Sequence, residues 1–132
     1  KLIIRDFEES GLHALEEEMY GIISNLKSRH PKADIQVEVK EQYRNMRYHI
    51  DQYPEVMDHA LEAVKRVGLN PEQGIIRGGT DGARLSAMGL PTPNIFTGGH
   101  NFHSTKEWIS AQDMEITVRT LVELVKIWAE QK

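Results

Sequence analysis

The run "IFTGGHNFHSTKEW", residues 95–108, sets His100 and His103 three positions apart on a glycine-rich stretch, with Glu107 four residues beyond the second. An imidazole in such a place either holds a metal ion or moves a proton near neutral pH. The chain has no cysteine, so any metal must be bound by His, Asp or Glu. One histidine does not make a metal site, and neither HExxH nor an HxxxH pair occurs. The competing reading of both residues is a surface-loop histidine bonded to a neighbour, and it weighs more heavily on His100.

Other residues are of types that could bind a substrate. Arg77 ends an apolar run beside two glycines, where a guanidinium fork suits a carboxylate. A structural salt bridge is its alternative. Arg5 lies in an apolar run whose alternation would simply put it on a wet sheet face, and Asn45 equally reads as a turn residue. Asp81 reads as a helix cap before it reads as a catalytic acid. The loop "RGGTDG" matches neither the dinucleotide fingerprint nor the phosphate-binding loop.

The elements that position these residues follow from periodicity. Leu2–Ile4 reads as a strand at the first residues, so a longer protein is expected, with self-association of any uncovered edge. Ser10 to Ser28 carries Leu12, Leu15, Met19, Ile22, Ile23 and Leu26 at helical spacing, ended by His30–Pro31. Ile35, Val37 and Val39 alternate with polar residues, the pattern of a half-buried strand. After a boundary near residues 43–47, Pro54 opens a helix with Val56, Met57, Ala60, Leu61, Val64 and Val67 on one face, and Gly68 ends it. A strand at Gly74–Arg77, a short helix capped by Thr80 or Asp81 and ended by Gly89, and a strand within residues 90–99 come next. Ser110–Asp113 resembles a capping box before a helix bearing Met114, Val118, Leu121, Val122, Val125 and Trp128. The pattern predicts an α+β piece followed by an α/β layer, with both glycine-rich loops at strand ends.

Composition narrows the classes. With 132 residues, 39% apolar content and a net charge of −4, the chain can bury a modest core and shows no basic face for nucleic acid. No apolar run is long enough to cross a membrane. No nucleic-acid or membrane partner is expected.

The residues taken together are more specific. The run "IRGGTDGARLSAMGLPTPNIFTGGHNFHSTKEWIS", residues 76–110, with "LIIRDF" near the start and "QYRNMR" at 42–47, resembles the C-terminal catalytic segment of the peptidase T family. These are bacterial tripeptide aminopeptidases among the dizinc metallopeptidases, and the resemblance covers nearly the whole chain. It implies that residues 1–44 are the second half of a ferredoxin-like lid and dimerisation domain, and that 45–132 are the C-terminal part of a catalytic α/β domain. It implies His103 as a terminal zinc ligand, and Arg77, Arg5 and Asn45 as groups that hold the peptide carboxylate or polarise its carbonyl. No ligand role carries to His100, where the family has an aromatic or acidic residue. Ser104 departs from the glycine that follows the ligand histidine in many members, while Glu107 is in place.

In the complete enzyme the resemblance implies two zinc ions, a tripeptide substrate, a cytoplasmic setting and a homo-oligomer. The chain itself holds at most one zinc ligand. It is expected to lack the family's His-x-Asp motif and acidic pair, hence every catalytic group, and to be inactive alone. Two other readings stay open: another exopeptidase or deacylase of the superfamily, and a non-catalytic dimerisation module.

Overall fold

The computed structural model describes residues 2–76 and 78–131, which form five helices: α1 (Glu9–Arg29), α2 (Arg47–Ile50), α3 (Pro54–Arg66), α4 (Asp81–Ala87) and α5 (Ala111–Glu130). The chain divides into two compact units, residues 1–45 and 46–132.

None of the four expected strands forms among the described residues. Residues 2–4, 35–39, 74–76 and 90–99 carry no strand, and the single β-type pairing described is an isolated antiparallel bridge between His100 and Trp108. The difference has a physical cause. A helix closes its hydrogen bonds within its own segment, whereas a strand has no internal bonds and needs a neighbouring ladder. Alternation of Ile35, Val37 and Val39 records a preference for one buried face; Val37 and Val39 here are 41% and 46% exposed.

In the first unit the long helix α1 ends at the His30 cap, whose N–H reaches the Leu26 carbonyl at 2.9 Å, directly before Pro31. A residue before proline is pushed out of helical geometry, so the stop is local in origin. No residue of α1 is buried; Ile22 on its apolar stripe is 55% exposed. The 40s segment is tied to the start of α1 by Arg44, which is ion-paired with Glu9 and, at 2.8 Å, with Glu41. The hydrogen bond from Arg44, and then its charge, hold the Glu41 carboxyl below its ordinary value.

The second unit has defined helix ends. Pro54 occupies the first turn of α3, where its missing N–H costs nothing. Both α3 and α4 close with paired backbone bonds around a left-handed glycine. Gly68 N–H meets the Lys65 carbonyl and Leu69 N–H that of Val64; Gly89 and Leu90 do the same to Ser86 and Leu85, at 3.0 and 2.9 Å. The Thr80 hydroxyl, not Asp81, caps α4 by accepting from Ala83 N–H at 3.3 Å. The one-turn helix α2, which periodicity did not indicate, packs on α3 and α4, and α3 packs on α5.

The core of this unit is made of small and polar side chains. Ala63, Ser86 and Thr120 have no exposed surface, and Ile50, His59, Ala60, Ala83 and Ile127 are buried around them. The hydroxyls are satisfied locally: Thr120 Oγ1 donates to the Ile116 carbonyl at 2.9 Å, and Ser86 Oγ accepts from Thr92 N–H at 3.0 Å. His59 meets Trp128 edge to face at 4.5 Å and pairs through Nε2 with the Gln131 side chain, while its buried Nδ1 has no hydrogen-bond partner among the described residues.

Helix α5 buries a different face from the one its strongest apolar pattern indicates. Thr120 and Ile127 are buried, with Ile116 and Leu124 partly so, while Val118 and Val125 stand 59% and 69% exposed. The helix has apolar residues on two faces, and the one it buries carries Thr120 with Ile116, Leu124 and Ile127. Replacing Ala63 by leucine should therefore destabilise the second unit by about 1–3 kcal/mol through overpacking. A lowered urea midpoint with unchanged slope checks this, and an unchanged midpoint contradicts it.

Candidate functional site

The loop carrying both histidines runs from Thr97 to Ser110 and is anchored on the first turns of α5. Ser110 caps that helix, its hydroxyl oxygen accepting from Asp113 N–H at 2.9 Å while its proton goes to the Asp113 carboxylate at 2.6 Å. Gly98, in the left-handed region at φ 76°, lies so close to α5 that a Cβ there would stand 2.4 Å from Asp113 Cβ. Only glycine fits both the backbone angle and the gap. The Thr117 hydroxyl donates to the Asp113 carbonyl at 2.8 Å and lies 3.4 Å from that of Thr97.

Beyond Gly98 the loop closes on itself. His100 and Trp108 exchange backbone bonds of 2.8 and 3.2 Å, and their rings stack 4.3 Å apart at 15°. Between them, Asn101 and His103 both have left-handed backbones, at φ 55° and 64°. Asparagine and histidine are both among the side-chain-bearing residues found there more often than most, though each still gives up the easier right-handed region. The turn is filled by short-range bonds. Asn101 Nδ2 donates to the Lys106 carbonyl at 3.3 Å, Ser104 Oγ accepts from Lys106 N–H at 3.1 Å, and the Glu107 carboxylate accepts from His103 N–H at 3.0 Å. His103 itself is exposed.

The two histidines, alike as letters, are thus placed differently. His100 is held flat against an indole at the neck of the loop, and His103 stands at its tip. Ser104, where many members of the resembled family have glycine, adds a hydroxyl that braces the turn.

The remaining candidates fall elsewhere. Arg77 lies outside the described residues. Arg5 is exposed and, with Leu2, Ile3, Ile4, Leu15, Glu18 and Met19, lines an open groove of about 340 Å³ in the first unit. Asn45, partly buried in the same unit, donates its side-chain N–H to the Phe7 carbonyl at 3.2 Å, joining the end of that unit to its beginning. Asp81 is the first residue of α4, where its charge suits the helix dipole.

One expectation fails on the letters themselves. His49–Ile50–Asp51 does have the His-x-Asp spacing. It occupies the end of α2 and its cap, with Asp51 3.9 Å from Arg47 Nε, and Ile50 between the pair is buried. The signal was a plain three-residue match. It lies on a single helical turn and the residue that follows it.

Among the described residues, no three His, Cys, Asp or Glu side chains stand together as a metal site. Zinc takes four donors, so the described part of this chain does not by itself fit a zinc ion, and His103 offers one exposed imidazole.

The backbone at His103 generates a prediction. A left-handed conformation costs a side-chain-bearing residue about 1–2 kcal/mol, a cost glycine avoids. Changing His103 to glycine should raise the stability of the second unit by about 1 kcal/mol, the pattern of a residue kept for what it does. Urea denaturation measures it, and a lowered midpoint would show that the imidazole stabilises the fold.

Comparison with known proteins agrees with the resemblance read from the run at 76–110. A protein named Peptidase T from Geobacillus sp. (strain WCH70) is 46% identical over 130 residues, 98% of this chain and 32% of its own length. Proteins of the same name from Caldanaerobacter subterraneus and Aeromonas hydrophila are 42% and 46% identical, over 98% and 95% of this chain and 32% and 31% of theirs. The chain spans about a third of the length of the curated relatives it matches. The model of Peptidase family M20/M25/M40, a family of α/β exopeptidases, matches residues 6–127, nearly the whole chain, and the chain belongs to that family.

Proposed function

We propose that this chain is the C-terminal part of a zinc-dependent tripeptide aminopeptidase, with residues 1–44 forming half of a ferredoxin-like lid and dimerisation domain and residues 45–132 completing the catalytic domain. The observation that carries the reading is the loop at 97–110. Its tip presents an exposed histidine in an unfavourable backbone conformation, held there by a network of short-range bonds. Strain kept at one polar residue points to a use for that residue. The identity of 41–46% to proteins named Peptidase T supports the same class of activity.

On this reading His103 is one ligand of a two-zinc centre, and Arg77, Arg5 and Asn45 bind the peptide's carboxylate or carbonyl. The described residues do not complete such a centre, so the other ligands and the general base are assigned to the two-thirds of the relatives' length that this chain does not cover. Strand partners for residues 2–4, 35–39, 74–76 and 90–99 are assigned there too, or to a second copy of the chain in a homo-oligomer.

Two measurements test the proposal. The 132-residue chain, purified free of any longer enzyme and supplied with zinc or cobalt, should not hydrolyse tripeptides; turnover above the metal blank contradicts it. In a protein of the relatives' full length carrying this segment, His103→Ala should lower zinc content and reduce kcat/KM by more than the roughly 100-fold that loss of an outer-shell partner costs. Retention of both zinc ions and of activity would remove His103 from the centre.

A further inference from the structure

We infer that Glu107 is a positioning residue for His103, fixing the left-handed turn that presents the imidazole. The inference rests on the ligand role proposed for His103, and its support is the geometry of the loop. Glu107 reaches back four residues to accept the His103 N–H at 3.0 Å, a charge-assisted bond to the main chain of the residue with the unfavourable angle. A backbone in that region persists only where its surroundings over-determine it, and the His103 amide is one of the points at which the turn is held.

The carboxylate is itself well placed for the task. Its own N–H donates to the Ser104 carbonyl at 3.1 Å, and the next residue, Trp108, is clamped to His100 by the bridge and the stacked rings. Glu107 therefore stands between the fixed neck of the loop and its strained tip. Deleting it leaves the neck intact and releases the tip. A carboxylate with one oxygen committed to a backbone N–H four residues back is oriented into the loop.

The test reads the His103 amide directly, in the 132-residue chain, by hydrogen–deuterium exchange resolved with nitrogen-15 NMR. Glu107→Ala should speed exchange of that amide about fivefold, the loss of one hydrogen bond, and move its proton resonance upfield, while amides of α3 and α5 keep their wild-type rates. Glu107→Gln, whose side-chain oxygen still accepts, should keep most of the protection. Equal exchange in wild type and E107A overturns the inference, as does an E107Q variant exchanging as fast as E107A. If E107A loses the slow amides of α3 and α5, the E107Q comparison with wild type decides alone: retained protection supports the role and lost protection overturns it. Neither readout involves a metal, so failure here removes the Glu107 contact and leaves the ligand role of His103 to the zinc measurement on the full-length protein.

Discussion

Helix α3 meets α5, and the buried residues of the two helices include two alanines and a threonine. Ala60 and Ala63 on one helix, and Thr120 and Ile127 on the other, are buried, and the fully buried hydroxyl of Thr120 is turned back onto its own helix. Small side chains let two helices pack closely. Because α5 is held in this way, its first turn is a firm base. Ser110 caps it, Gly98 lies on Asp113, and the histidine loop grows from that contact. The loop needs no regular secondary structure of its own, because the packing behind it and the short bonds within it define its course.

Helices were legible in the letters where their signals were local. Pro54, Gly68, Thr80, Gly89, Ser110 and Pro31 mark ends that the backbone bonds reproduce, since each acts within four or five residues. Strands were not legible in the same sense. Alternation along Ile35–Val39 states a preference, and a ladder that answers it has to come from residues distant in sequence. The bridge between His100 and Trp108 succeeds because its partners are only eight positions apart.

Burial was harder to read than helicity. The stripe from Met114 to Val125 is a sound helical signal, yet it faces outward, and the buried face is marked by a threonine. Hydropathy ranks Ser86, His59 and Thr120 as surface residues, yet all three are buried, and local hydrogen bonds offset the cost of burying the two hydroxyls. Within the loop, both histidines and Glu107 could be named from spacing. What separates them is a stacked indole for one and a backbone angle for the other, and neither follows from residue type. The His49–Asp51 pair shows the reverse case, a three-residue spacing present in the letters that lies on one helical turn with its middle residue buried.

A backbone angle of +64° at residue 103 acts as a filter that operates before chemistry does. Glycine, asparagine and aspartate enter such a position easily, while valine, isoleucine and threonine are rejected by their branched Cβ. The set of donors the loop can present is therefore short. Aspartate and asparagine are the substitutes that bring a side-chain oxygen to the tip while keeping the turn. The turn therefore constrains which side chains can stand at the tip more tightly than its exposure alone would suggest.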